Sequence, residues 1–600
     1  MLRSPAAEFA RICPTLPTLR RLQSRRPLTT RTLNSTGSTS SYSFPSRRSV
    51  AIGATALALA GTAYLASCSF DEAPLWPPSL NRNDPLSVLD PAILAHTNLH
   101  LTRQSLSDLV REWVVFAVSE QPALVEAGPW IIGKIQWTKD NVPLLGPAVW
   151  AVFVFGMNNT FYKVYAGGES VTGCAEVVKQ FADKGVGVIF NYSAEAPLGA
   201  FKPASGIDHA SMSEIHLAVI EAAKLSTSTS SAPSALIKPS LLAIKLTGLV
   251  HDTSLLARAS SALISNSTFQ RGGRLAVDPT RPFPDSPELS EEDHELLAKL
   301  YEGLRKVCCE AKKQGVRLLV DAEQSWFQPA IDLYAELLSE EFNKVDPSSL
   351  QHLSVLTFPL RTFGQLIPSL FRSADQCYLR TTPSKLQSAL AHASSNNYSF
   401  GAKLVRGAYV ESERERHAAS SSSAADGEPC LVWGSKAETD ACYDECAELL
   451  EKRIAEDLKD DHAEARPGVG VCLASHNGTS MKRFLEKLRA DGLVTELEDG
   501  KLEVDERLRG RVALGQLMGM SDNLTQTLVS LLPPPSPSSV PLVVKYTPYA
   551  TLEQGLPYLV RRANENQSIL KGDPTSGRGG AADERRAVGR ELRRRLGLSF

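Results

Sequence analysis

Among the 10 cysteines of this 600-residue chain, no two form a CxxC pair. Cys442 and Cys446 are spaced to share one helix face, yet no His or Cys pair at metal-ligand spacing accompanies them. No structural zinc is therefore expected, and the scattered cysteines read as reduced thiols of an intracellular compartment. An excess of charge is missing too. The 64 Lys and Arg are balanced by 66 Asp and Glu, which leaves no global basicity to hold nucleic acid. No GxGxxG turn joins a strand to a helix, so a Rossmann site for a dinucleotide is not supported. Acidic residues are almost absent from the first fifty positions, where Glu8 stands alone among arginines, serines and threonines.

That acid-poor, arginine-rich start has the composition of a mitochondrial transit peptide, expected over residues 1–49. A merely disordered basic tail is the competing reading. Residues 50–70 carry no charge and are flanked by Arg47-Arg48 and Asp71-Glu72. The length suffices to cross a bilayer, but the content is mostly Ala, Gly and Thr, a weak insertion signal. A membrane segment and a buried or processed stretch both remain open. Residues 71–160 read as an N-terminal helical arm, clearest over Ser105 to Val125 and Leu144 to Met157. Residues 161–600 are long enough to bury a large core.

Within them, short β-rich runs alternate with helical patterns. The runs are Val186–Tyr192, Leu241–Leu246, Val316–Asp321, Gln376–Arg380, Phe400–Val405, Gly468–Ala474, Val512–Leu517 and Val540–Tyr546. Glu291–Gln314 and Ala437–Asp457 are the plainest helices between them. Eight strands alternating with helices predict an α/β fold, a (β/α)8 barrel of the TIM type. Three low-complexity inserts, Ser226–Ser234, Ser420–Gly427 and Pro533–Ser539, read as solvated loops.

In such a barrel, chemistry gathers at the C-terminal strand ends. Here those ends carry Lys245, Asp321, Gln376, Arg406-Gly407-Ala408-Tyr409, Ser475-His476-Asn477 and Tyr546. A charged group in an apolar strand is costly unless it pairs or meets a ligand. Each one alone reads as a satisfied internal ion pair; six ends converging on one mouth read as a site. Near the C-terminus, Arg561 and Arg562 follow an apolar helical run, with Glu565 one turn later. Adjacent guanidinium forks suit a carboxylate, and a solvated helix face is the plainer alternative. Thr551 and Gln554 fit a capping box, with Pro557 suggesting that the regular helix begins there.

The ordered set Asp321-Ala322-Glu323-Gln324, Gly401 to Tyr409, Ala474-Ser475-His476-Asn477, Gly515 to Met520 and Tyr558 to Arg562 resembles the proline dehydrogenase family. The resemblance spans roughly Phe161 to Glu591. It implies a distorted (β/α)8 barrel binding FAD non-covalently, oxidation of L-proline to Δ1-pyrroline-5-carboxylate, and electrons passed to a membrane quinone at the mitochondrial inner membrane. By that resemblance Arg561 and Arg562 hold the substrate carboxylate with Lys245, and Tyr409, Tyr546 and Leu517 wall the ring. Glu565 steadies the arginines. Asp321 is the site acid, either orienting Lys245 or an arginine or accepting the amine proton. Gln376, Lys403, Arg406, Gly407, Ala408, Ser475 and His476 correspond to flavin contacts, with glycine permitting close approach. Hydroxyproline as substrate, and a catalytically impaired proline-binding regulatory protein, are the rival readings.

Two features depart from the family pattern. Asn191 stands where the first strand usually carries aspartate. Residues Thr357–Ala374, containing Pro359 and Pro368, interrupt the approach to Gln376 and read as a surface insertion or a retained intron.

Overall fold

The computed structural model describes residues 84–94, 99–143, 145–193, 206–228, 241–266, 278, 280–344, 375–421, 430–459, 467–536, 539–570 and 581–597. The expected transit peptide, the uncharged segment 50–70 and the insertion at 357–374 lie outside them, as do parts of the three low-complexity loops.

Eight parallel strands form one curled sheet, a distorted barrel. They are β1 (Gly187–Tyr192), β2 (Leu241–Ile244), β3 (Arg317–Val320), β4 (Asp375–Gln376), β5 (Phe400–Val405), β6 (Val469–Ala474), β7 (Val512–Leu517) and β8 (Val543–Tyr549). Their hydrogen-bonded order is β3-β2-β1-β8-β7-β6-β5-β4, the circular order of a (β/α)8 barrel cut between β3 and β4. Across that seam the Gln376 amide donates to the Glu323 carbonyl. A short antiparallel hairpin, Val494–Glu496 with Leu502–Val504, stands outside the sheet.

Strand parity explains where side chains go. Val188, Phe190, Leu242, Ile244, Leu318 and Val320 face the surrounding helices and share one core with them. Their neighbours Ile189, Leu241, Ala243, Leu319, Cys472, Val544 and Tyr546 pack together in the barrel interior. Continuing the inward series by two residues reaches Asn191, Lys245 and Asp321. The apolar layer thus fills the barrel, and polar groups begin where it ends.

Two strands differ from expectation. The run Gln376–Arg380 is not a strand beyond Gln376: the chain turns at Leu379, whose N–H returns to the Gln376 carbonyl. Helix Thr382–Ser395 follows, with proline in its first turn. β8 lies three residues later than predicted and carries Pro548 within it. Tyr546 is consequently mid-strand, paired with Ile189 and Leu517. Its neighbour Lys545 points outward and is 1% exposed, paired with Asp522 at 2.5 Å and donating to the Met520 carbonyl at 2.7 Å.

Helix Glu291–Gln314 has the predicted bounds, fixed by a Ser290–Asp293 capping box and a left-handed Gly315. The helix bearing the arginine pair runs Leu552–Leu570, so it starts before Pro557, which lies inside it. Thr551 and Gln554 do meet at its start, hydroxyl to amide oxygen at 2.8 Å. N-terminal helices Leu106–Ser119, Pro122–Asn141, Leu145–Asn159 and Phe161–Tyr165 pack around this helix. Tyr162 donates to the Ala550 carbonyl at 2.5 Å, and Lys139 pairs with Glu553 at 2.9 Å. Among the described residues, no helix is long and apolar enough to cross a membrane.

Candidate active site

Asp321 stands just past β3, buried, with both carboxylate oxygens engaged. Lys403, inward-facing on β5, donates to one at 2.6 Å; the Tyr546 hydroxyl donates to the other. The same hydroxyl accepts from the Asn191 side-chain amide at 2.6 Å. The Lys403 ammonium also sits 4.4 Å from the Tyr546 ring centre. Four strands therefore meet in one buried hydrogen-bonded group. Burial opposes ionisation of Asp321, but the charges of Lys403 and Lys245, with the Lys403 and Tyr546 hydrogen bonds, hold it below the usual carboxylate range. Burial, then the Asp321 charge, pushes the Tyr546 phenol well up, so it remains a donor.

Lys245, two residues past Ala243 on the inward series, is extended and partly exposed. Its charge acts on both Asp321 and Glu323. Glu323 is buried and accepts from the Thr247 N–H at 3.0 Å and from the Thr247 hydroxyl; burial still raises its pKa above the carboxylate norm.

A second group gathers on β5, β6 and the helix Lys436–Lys459. The three guanidinium nitrogens of Arg406 bond Asp440 at 2.6 Å, Ser475, and Ser480 at 2.6 Å. Its plane lies 4.1 Å from the Tyr443 ring. His476 follows Ser475. Burial, then the charges of Lys545, Arg562 and Arg406, pull it down to about 3, so its imidazole is neutral at physiological pH. Its Nδ1 is buried with no hydrogen-bond partner in the structure, as is the Oε1 of Gln376. Such orphaned atoms at strand ends fit a polar ligand edge, and a flavin ring offers one. Gly407 has φ +123, and a Cβ there would lie 1.6 Å from the Tyr378 ring. The glycine is thus required by Tyr378, independently of any cofactor. Ala408 is exposed beside it.

The arginine pair diverges. The Arg561 guanidinium lies 5.7 Å from the Tyr409 ring and 5.8 Å from that of Tyr558, and its charge is felt at the Tyr546 hydroxyl. Arg562 is 3% exposed, 5.1 Å from the Tyr558 ring, and its charge reaches His476. Leu517 ends β7 between the barrel interior and the cluster under the N-terminal helices. Glu565 is on the same helix, one turn after Arg561, but its side chain falls outside the described residues.

Sequence reasoning missed several members. Asp440, Tyr443 and Ser480 surround Arg406 from helices. Glu413 accepts from the Ser325 N–H at 2.6 Å and from the Tyr378 hydroxyl at 3.3 Å, tying the β3 loop to helix Val410–Ser421. None of these sits at a strand end, so reading strand ends alone passes over them. Asn191 was noticed only as a departure; strand parity places it inward, as the structure does.

A family profile described as Proline dehydrogenase matches residues 174–572. Proline dehydrogenase 1, mitochondrial, of Arabidopsis thaliana is 27% identical over 543 residues, covering 85% of this chain and 89% of that protein. The protein of the same name in Homo sapiens is 30% identical over 307 residues, 51% of this chain and 40% of that one. Hydroxyproline dehydrogenase of Rattus norvegicus is 30% identical over 362 residues, 60% of this chain and 65% of that one. Among solved structures, proline utilization A from Bdellovibrio bacteriovorus superposes with a TM-score of 0.50 at 17% identity, over 81% of this chain and 44% of that one. That likeness bears on the fold, the distorted parallel barrel with helices before it. With two thirds of its length matched by one family profile, this chain belongs to the proline dehydrogenase family, a family of flavin-dependent enzymes.

Proposed function

We propose that this protein oxidises L-proline to Δ1-pyrroline-5-carboxylate with bound FAD, passing electrons to a quinone of the mitochondrial inner membrane. The observation that carries the reading is the convergence of the Asp321–Lys403–Tyr546–Asn191 group and the Arg561–Arg562 helix on one barrel mouth. FAD supplies a hydride acceptor that no side chain can replace. Gln376, Arg406 and His476 would hold it, the first and last through their orphaned atoms.

Arg561 and Arg562 bind the substrate carboxylate, Lys245 adds charge from β2, and Tyr409, Tyr546 and Leu517 shape the ring pocket. Asp321 has both oxygens occupied and its acidity strengthened. That favours a positioning role, fixing Lys403 and Tyr546, over acceptance of the amine proton. Lys403 so held presents a fixed cation inside the barrel.

Membrane association is supported by helices Pro122–Asn141 and Leu145–Asn159. The latter has no charged residue, and Trp130, Trp137, Val152 and Phe155 on the two are 66%, 58%, 74% and 59% exposed. Exposed apolar side chains on two such helices, two of them tryptophans, suit a bilayer interface beside a lipid-soluble acceptor.

Hydroxyproline as substrate rests on the similarity to the Rattus norvegicus protein. Anaerobic titration of the purified protein decides among these readings. Flavin bleaching by L-proline supports the proposal; bleaching by hydroxyproline alone selects the alternative. Protein that folds without retaining flavin points to a non-catalytic proline-binding role.

A further inference from the structure

Three sulfur atoms converge beside the residues that hold Arg406, in a group the site just described does not use. Cys377 lies one residue past β4, and Cys442 and Cys446 stand one turn apart on helix Lys436–Lys459. Their Sγ atoms all lie within 4.8 Å of one another, and the residues are 0%, 2% and 0% exposed. Sequence spacing could pair only the two helical cysteines. The fold delivers the third from a residue 65 positions upstream of Cys442, held there because the Cys377 N–H bonds the Val405 carbonyl at 2.9 Å.

We propose that these three cysteines form a binding site for one soft d10 cation, Cu(I). The argument is geometric and chemical. An ion bound to three sulfurs at about 2.3 Å spaces them roughly 4 Å apart, which this triangle meets with side-chain adjustment of less than an ångström. Thiolate donors select Cu(I), zinc or iron–sulfur chemistry over hard cations. Among the described residues, no further His, Cys, Asp or Glu joins the group, and the burial leaves no open position for water. A structural zinc ion wants four ligands; Cu(I) is satisfied with three. Binding exchanges S–H protons for S–Cu bonds, releases those protons to solvent, and changes no oxidation state.

Occupancy would have a structural consequence. The helix that carries Cys442 and Cys446 also carries Asp440 and Tyr443, the partners of Arg406, while Cys377 adjoins Gln376. One ion would therefore clamp β4 to the helix that positions Arg406.

The experiment uses the full-length reduced protein under anaerobic conditions, titrated with Cu(I) against a chromophoric Cu(I) chelator. One equivalent is expected to be withheld from the chelator, with X-ray absorption showing three sulfur neighbours and no nitrogen or oxygen. Cys377→Ser and Cys446→Ala should each weaken retention at least tenfold. Cys309→Ala, an exposed cysteine outside the triangle, should leave it unchanged. The proposal fails if the wild-type protein shows two sulfurs, or a site shared with Cys309. It fails equally if zinc is retained in preference with a fourth ligand, or if no copper is withheld and the three thiols serve only as core packing. The wild-type absorption spectrum decides even where a variant does not fold.

Discussion

The Lys403 ammonium meets the Asp321 carboxylate at 2.6 Å with both side chains under 10% exposed. Two opposite charges are thereby kept at the end of the apolar layer that fills the barrel. Removing one of them strands the other. Asp321→Asn should lower stability by about 3–5 kcal/mol, measured by denaturant unfolding, and depress kcat because Lys403 and Tyr546 lose their common anchor. A variant within 1 kcal/mol of wild type would show that water, rather than Asp321, balances Lys403.

Arg561→Met should raise the KM for proline by roughly 10–150-fold, the equivalent of one charge-assisted hydrogen bond, with a smaller change in kcat. Arg562→Met should raise KM similarly and lower the melting temperature as well, since Arg562 is 3% exposed. Steady-state kinetics on both variants checks this. An unchanged KM in Arg561→Met would remove that residue from the carboxylate site.

The pH dependence of stability follows from two imidazoles held neutral. His476 is pulled down to about 3 and His100 to about 4, each by burial first. In the unfolded chain each takes a proton near 6.5, so below that pH the unfolded state binds more protons and folding weakens. Asp321, with its acidity strengthened, acts at lower pH, its contribution being lost only as pH falls through its depressed value. Melting temperature should therefore decline steadily from about pH 6.5 to pH 4. His476→Gln should flatten that slope; an identical slope would assign the decline to other groups.

Asn191→Asp would set a second carboxylate against the Tyr546 hydroxyl, whose other partner is already Asp321. Like charges sharing one site raise the pKa of one of them. The acid limb of the kcat/KM profile should move to higher pH in this variant, and an unmoved limb would mean that a carboxylate at 191 does not act on Asp321 across the Tyr546 hydroxyl.

Gly407→Ala combines a disallowed φ with a clash into the Tyr378 ring. A loss of at least about 2–3 kcal/mol is expected. Adding Tyr378→Ala should recover part of it, leaving the backbone strain; no recovery in the double variant would show that the ring moves aside freely.

The barrel was legible because its strands are short, apolar and regularly spaced, and seven of the eight lie within three residues of their predicted bounds. β4 was the exception. Its run of β-type residues continues to Arg380, but the chain turns at Leu379 to start a helix, and tertiary context overrides propensity there. Site residues on strand ends could be read by position and parity. Asp440, Tyr443 and Glu413 could not, because a polar residue on a helix looks solvated until the neighbouring strand is placed against it. The choice of Lys403 over Lys245 as the ion-pair partner of Asp321 was likewise invisible, since both are inward-facing cations and only distance separates them. Glycine at 407 is expected for access to a ligand; the ring of Tyr378, 29 residues away in sequence, requires it as well and could not be read from the sequence.

Lys545 and Tyr546 divide β8 between two environments, the ammonium bound to Asp522 behind the sheet and the phenol to Asp321 within it. A slip of one residue would exchange them, driving a second cation against Lys403 and stranding a phenol beneath Asp522. The strand is therefore indexed by charge, as a pawl indexes a ratchet. Loop residues can be added or removed between Leu531 and Val543 while the barrel-facing tyrosine returns to the same tooth. Length variation in that proline-rich loop is decoupled from the accuracy of the chemistry it precedes.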